Sequence, residues 1–337
     1  MRPRLKDVAE HAGVSIKTVS NVVNGYPHVS PDTRTRVEAA IAELRYQPNL
    51  SARNLRSGRS GVIALAVPDL SIPYFSELAT KVIEVADLRG WTVLIDQTQG
   101  ERRKEQLVMS GIRAQLIDGM LFSPLALTPE DLRARTDQTP MVLLGERIGG
   151  GTLDHIAVDN VAAAHLATSH LVALGRRRIA AIGAQRAARA VTAEQRLRGF
   201  RGALSDAGLS EHAVADVSDY HRADGAEAMA RLLAGDPPDA VFCFNDTLAL
   251  GALRTLLSRG LRVPQDVALI GFDDIEDGRF STPTLTTIAP DKAHIAETAV
   301  NLLATRLSAA GAEPPQDLCA PHRLIVREST ATGRREG

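Results

Sequence analysis

Along the first sixty residues the apolar positions recur at helical spacing. Leu5, Val8, Ala9 and Ala12 fall at i, i+3, i+4 and i+7, one face of a helix. Gly13-Val14 interrupts that pattern, and Ser15 stands where a second helix would be capped. Val19, Val22 and Val23 would face inward from it, which turns Ile16, Lys17, Thr18, Ser20 and Asn21 outward or sideways. Asn24-Gly25 would end it. Ser30-Pro31 reads as the N-cap and first position of a third helix, with Val37, Ala40, Ile41 and Leu44 as its buried stripe. Pro48 breaks the pattern. Residues 49–55 suit only a short helix with little to bury, and Ser57-Gly58-Arg59-Ser60-Gly61 reads as a flexible linker.

Beyond residue 60 apolar runs of strand length alternate with amphipathic helices. Strands are predicted at 62–69, 92–97, 119–123, 141–145, 156–159, 178–183, 240–245 and 267–272. Helices are predicted at 75–89, 161–174, 194–207, 247–259 and 292–307. Such alternation over more than 200 residues implies a doubly wound α/β architecture, long enough for two parallel sheets. In open parallel sheets, ligands sit beyond the carboxyl ends of the strands.

Charge adds an asymmetry. The net charge of −1 conceals a basic N-terminal sixty residues, with ten Lys and Arg against five Asp and Glu, and an acidic remainder. A basic end suggests an anionic partner there. Two helices joined by Gly13-Val14, the second opening with polar residues, make a helix-turn-helix. Lys17 would donate to guanine, and Ile16 would pack on a thymine methyl, with Ser15 and Asn21 beside them. Thr18, Ser20 and Asn24 suit phosphate contacts. A plain three-helix bundle is the competing reading, but it leaves the basic excess and the polar helix unexplained.

Other classes find little support. No run of eighteen apolar residues would span a membrane, and the N-terminus lacks the apolar core of a secretory signal, so a cytoplasmic protein is expected. Cys243 and Cys319 are too few for a disulfide framework or a metal cluster and read as inert thiols. Phosphate-loop and nucleophile-elbow motifs are missing, and the nine histidines are scattered. No catalytic residue, metal or cofactor is expected.

Several polar groups follow predicted strands. Asp69, Asn245, Asp246, Asp273 and Asp274 do so, Arg196 opens a helix, and Tyr220 follows an apolar–polar alternation. Carboxylate, amide, guanidinium and aromatic face together would bind a polyol. Asp246 fits a helix N-cap equally well, and Asp274 a turn.

The stretch from Leu5-Lys6-Asp7-Val8-Ala9-Glu10-His11-Ala12 through Gly13-Val14-Ser15-Ile16-Lys17-Thr18-Val19-Ser20 resembles the N-terminus of the LacI/GalR family of bacterial regulators. So do Val29-Ser30-Pro31-Asp32-Thr33-Arg34, Leu44-Arg45-Tyr46-Gln47-Pro48-Asn49 and Ser51-Ala52-Arg53-Asn54-Leu55, and the similarity covers nearly the whole chain. The resemblance implies a helix-turn-helix domain over 1–47, a hinge helix and linker over 48–60, and an effector-binding and dimerisation domain over 61–330. That last domain would resemble periplasmic binding proteins, with one subdomain at about 61–160 and 290–320 and the other at about 161–289 and 321–330. Leu55, with Ala52 beside it, would wedge into the minor groove at the operator centre, bending the DNA. Arg196, Asn245, Asp273 and Tyr220 match positions that grip the effector in relatives. Tyr74 and Phe75 would wall the pocket, and Asp69 and Thr192 complete the expected lining. The purine-responsive branch carries an arginine where this chain has Ala190, which argues against a purine. The C-terminus lacks the heptads that make the lactose repressor tetrameric, so a homodimer is expected.

The resulting expectation is a transcriptional regulator, foremost a repressor, that binds palindromic operator double-stranded DNA as a dimer and is released by a mono- or disaccharide. A transport-linked sugar-binding protein would need a secretion signal and no DNA-binding segment. A sugar-modifying enzyme would need catalytic groups in the crevice, where Asp273 and Asp274 are the close carboxylate pair.

Overall fold

A computed structural model of the chain describes residues 3–23, 26–46, 59–111, 115–145, 151–185, 191–308 and 313–331. It divides into two compact units, Met1–Ser60 and Gly61–Gly337.

The first unit packs α1 (Leu5–Ala12), α2 (Ile16–Val23) and α3 (Pro31–Glu43) around Val8, Ala9, Ala12, Val19, Val22, Val37 and Ala40. Tyr46 joins this core, closing it from beyond α3. Gly13 ends α1 with φ of 64°, a left-handed turn that costs glycine little. The expected cap at Ser15 is present: its Oγ accepts the Thr18 N–H at 3.0 Å. Ser30 departs from expectation. It stands at the N-cap position before Pro31, but its side chain accepts no backbone N–H. Its hydroxyl donates instead to Thr33 Oγ1 at 2.8 Å.

The second unit contains two six-stranded sheets. The first runs β11-β5-β4-β3-β1-β2, from β1 (Val62–Val67), β2 (Thr92–Gln97), β3 (Gly119–Phe122), β4 (Met141–Leu144), β5 (Asp154–Val158) and β11 (Asp317–Ala320). All its pairings are parallel. The second runs β12-β10-β9-β8-β6-β7, from β6 (Ile179–Ala184), β7 (Ala213–Asp216), β8 (Ala240–Cys243), β9 (Ala268–Phe272), β10 (Thr286–Pro290) and β12 (His322–Ile325). Here only the β10–β12 pair is antiparallel.

Helices cover the sheets. They are α4 (Pro73–Asp87), α5 (Arg102–Met109), α6 (Pro129–Arg133), α7 (Asn160–Ala173), α8 (Val191–Asp206), α9 (Arg222–Ala234), α10 (Asp246–Ser258), α11 (Glu276–Arg279) and α12 (Lys292–Leu307). Central strands β3, β4, β6, β8 and β9 are buried throughout, as strands covered on both faces must be. The chain passes from one sheet to the other three times, after β5, after β10 and between β11 and β12. Strands β7, β10 and β11 and helices α5 and α9 were absent from the sequence-based reading. Strand β10 hides Thr286 and Thr287 completely and satisfies their hydroxyls internally, so a strand of core character carries a polar sequence.

The mixed α/β class inferred from the strand–helix alternation is the fold observed. Among the described residues no helix is long and apolar enough to cross a membrane.

Candidate DNA-reading helix and ligand cleft

The start of α2 presents Ser15, Ile16 and Lys17 to solvent, while Thr18, Ser20 and Asn21 are half-buried. Ser15 and Thr18 are tied to each other, their hydroxyl oxygens 2.8 Å apart, so both are engaged in starting the helix. Ile16 keeps 48% of its surface exposed, a large apolar side chain with no core to fill. Beside it, Lys17 forms no ion pair with any described residue. An exposed apolar group next to a cation suits a groove edge better than a solvated face. Tyr26, 51% exposed and edge-on to His28, was not singled out from the sequence. Arg34 holds its carbonyl through Nη2 at 2.8 Å. Asn24, Ala52 and Leu55 lie outside the described residues.

At the carboxyl ends of the two sheets lies a cavity of about 540 Å³. All eight residues expected to bind the effector line it: Asp69, Tyr74, Phe75, Thr192, Arg196, Tyr220, Asn245 and Asp273. Local structure explains each placement. Asp69 lies just beyond β1, and its Oδ1 accepts the Ser71 N–H at 2.8 Å. Its Oδ2 stands 3.6 Å from His221 Nε2, on the opposite side of the cleft. Pro73 opens α4 and sets Tyr74 and Phe75 in its first turn, edge to face at 5.2 Å.

Arg196 is 8% exposed and nearly immobilised. Its Nε donates to Asn160 Oδ1 at 2.8 Å, its Nη1 donates to the Phe244 carbonyl, and its guanidinium lies 3.6 Å from the Phe272 ring centroid. Tyr220 is also fixed, its hydroxyl donating to the Gly183 carbonyl at 2.8 Å. Asn245, rather than Asp246, caps α10. Its Oδ1 accepts the Leu248 N–H at 2.8 Å, and its Nδ2 donates to the Tyr220 carbonyl at 3.2 Å. Asn245 thus spends much of its hydrogen-bonding capacity on the pocket wall.

Asp273 differs from these. It follows β9 with φ of 113°, its N–H donates to the Ile288 carbonyl, and its side chain is 6% exposed. No described residue donates a hydrogen bond to its carboxylate. Burial pushes that carboxyl up to about 7; Arg196 and then Lys292 pull it down, and Glu77 raises it. Neighbouring carboxylates have other duties. Asp246 is fully buried, accepts from Thr287 Oγ1 at 2.7 Å and from the Ile275 N–H at 3.0 Å, and holds its proton well above the usual range through burial and then Asp273. In Asp274 the upward push of burial is outweighed by Arg327 and Arg279, which grip its carboxylate. The pair Asp273–Asp274 therefore divides into one uncommitted acid and one structural anion.

Sequence reasoning missed Gln99, Ser123, Asn160 and His221 in the lining. The first three each follow a strand, so the strand-end rule applied to every strand would have found them. Cys243 is fully buried, and burial pushes its thiol up, which leaves it unreactive. Among the described residues no group of three or more His, Cys, Asp or Glu is arranged to hold a metal ion.

A helix-turn-helix unit, together with a polar and aromatic cleft between two mostly parallel sheets, defines a DNA-binding regulator with a ligand-binding domain. Residues 4–49 match the family described as bacterial regulatory proteins, lacI family, and residues 168–330 match the periplasmic binding protein-like domain. The HTH-type transcriptional repressor PurR of Haemophilus influenzae (strain PittEE) is 34% identical, over 96% of this chain and 98% of its own length. The lac repressor dimer bound to operator and the anti-inducer ONPF is 32% identical with a TM-score of 0.84, covering 98% of this chain and 99% of that one. The transcriptional regulator CelR in complex with cellobiose is 31% identical with a TM-score of 0.71, covering 97% of this chain and 100% of that one. The chain belongs to the LacI family: it is a transcriptional regulator and not an enzyme.

Proposed function

We propose that this protein is a repressor that binds a palindromic operator as a homodimer and is released when a mono- or disaccharide occupies the cleft. The observation that carries the effector reading is Asp273: a buried carboxylate in the lining, without a donor from any described residue, close to an immobilised guanidinium. Ligand hydroxyls would supply the missing donors, and the rings of Tyr74, Phe75 and Tyr220 offer flat apolar faces to a pyranose. The cellobiose complex of CelR supports a sugar as the class of effector.

On the DNA side, Ser15, Ile16, Lys17 and Asn21 face the base edges, while Thr18, Ser20 and Asn24 fix the helix on the backbone. Residues 1–47 form the DNA-binding domain, 48–60 the hinge with Ala52 and Leu55 at the minor groove, and 61–330 the effector and dimerisation domain. Edge strand β2, with Leu94 and Ile95 exposed, and Phe280, 79% exposed, supply apolar surface for a second copy. The protein acts in the cytoplasm, where its operator lies. Ligand works through its different affinity for the operator-bound and released states.

A thermal-shift screen of sugars, sugar phosphates and purines, with operator release assayed for each hit, tests the reading. A sugar that raises Tm and frees the operator supports it. A purine as the sole hit would replace the effector, and a hit that tightens operator binding would reverse the sign of control.

A further inference from the structure

The charges around the cleft are unevenly committed. Among the described residues Arg196 is the guanidinium of the lining, and two of its nitrogens are already taken by Asn160 and Phe244. Behind Asp273, the Lys292 ammonium is occupied by Glu77 Oε2 at 2.5 Å and by the carbonyls of Asp273 and Asp274 at 2.7 and 3.1 Å. Against these cations stand three lining carboxylates, the buried Asp273 and the more accessible Asp69 and Asp219. Among the described residues, lining carboxylates outnumber lining guanidinium and ammonium groups three to one.

We infer that the cleft selects by charge: it accepts an uncharged, hydroxyl-rich effector and rejects the phosphorylated or carboxylated form of the same molecule. The inference rests on the sugar-like reading above and narrows it. Above pH about 7, where Asp273 is ionised, an anion in the cleft would lie among carboxylates in a partly desolvated space. The His221 imidazole already faces Asp69, and the anion would meet no uncommitted ammonium among the described residues. Arg196 cannot turn toward it without abandoning the Asn160 amide and the Phe272 ring. A hydroxyl has the opposite fit. It donates to Asp273 and accepts from whatever guanidinium hydrogen remains, with no charge to bury. Discrimination of this kind works by repulsion as much as by attraction.

The test melts the full chain with matched probes: ribose and ribose 5-phosphate, glucose with glucose 6-phosphate and glucuronate, cellobiose and its 6′-phosphate. At least one neutral member should raise Tm, and its charged counterpart should bind at least about tenfold more weakly. A charged member that binds as tightly as its parent overturns the inference and leaves the sugar-like reading in place. If no member of any set binds, that reading falls and this inference with it. Asp219→Asn, at an exposed position, should narrow the gap severalfold; an unchanged gap takes lining charge out of the explanation and overturns it.

Discussion

Lys292 Nζ lies 2.5 Å from Glu77 Oε2, and the two side chains together hold the loop that carries Asp273. Lys292 donates to the carbonyls of Asp273 and Asp274, both at positive φ, and Glu77 Oε1 accepts the Glu276 N–H at 2.9 Å. Helices α4 and α12, which contribute Glu77 and Lys292, pack together over the first sheet. The loop they hold leaves the second sheet after β9. The ion pair therefore links the two lobes and sets the direction of the buried Asp273 carboxylate.

Replacing Lys292 with Met should cost about 2 kcal/mol of stability, since it strands Glu77 and two carbonyls without their donor. It should also weaken effector binding about tenfold through a misdirected Asp273. Chemical denaturation and calorimetric titration measure the two effects separately. Lys292→Arg should recover stability better than affinity, because a planar fork cannot reproduce a point donor to three acceptors. Full affinity in Lys292→Met would detach the ion pair from the site.

Arg196→Ala removes the guanidinium from Asn160, Phe244 and Phe272 at once. Operator affinity without effector should remain within about threefold of wild type, while release by sugar is abolished. Fluorescence anisotropy with labelled operator, read with and without the sugar, decides the matter. A retained response would place Arg196 outside the ligand's reach.

Effector affinity should depend on pH through Asp273, whose carboxyl stands at about 7. Burial sets its charge state first, followed by Arg196, Lys292 and Glu77. The folded pKa is raised above the ordinary carboxylate value, so the ligand-free protein loses stability as pH rises toward about 7. Hydroxyls that donate to the carboxylate favour its ionised form, so binding releases up to one proton below that pH. Affinity should rise with pH up to about 7 and level off above it. Titration calorimetry in buffers of different ionisation enthalpy counts the proton, and Asp273→Asn should abolish its release. An affinity flat from pH 5.5 to 8 would remove Asp273 from contact with the ligand.

Lys17→Ala should weaken specific operator binding by about 1–3 kcal/mol and relax preference at one base pair. Ile16→Ala should act at a thymine position instead. Selection of binding sites from a randomised operator separates the two. A uniform loss over all sequences, with a shallower salt dependence, would make Lys17 a phosphate contact.

Much of the site was legible because its residues follow the rule that ligands sit at strand ends. Asp69, Asn245 and Asp273 each come directly after an apolar run, so position and chemistry coincide in the sequence. Their division of labour was not legible. That Asn245 caps α10, that Asp274 is held by Arg279 and Arg327, and that no described residue donates to the Asp273 carboxylate are settled by tertiary placement. Glu77 and Lys292 lie 215 positions apart, and no local pattern joins them. Helix α9 escaped notice for a related reason. Its buried positions are Gly225, Ala228 and Met229, a face of small residues with a glycine in the first turn, which gives little apolar periodicity. In the fold a Cβ on Gly225 would overlap the Leu248 carbonyl, and one on Gly251 would overlap that of Arg222. Tight packing of α9 against α10 requires those glycines, and it outweighs their poor propensity.

The three passages of chain between the sheets bear on how such a protein can change over generations. Neither lobe is an uninterrupted stretch of the sequence, so a single recombination point cannot exchange one lobe for a relative's. Within the two-lobed unit, a new ligand preference is reached by substitution around the cleft, with both walls inherited together. The boundary near residue 60, by contrast, separates two continuous units, so a single crossover there exchanges operator choice and signal choice as wholes, while the two walls of the cleft travel together.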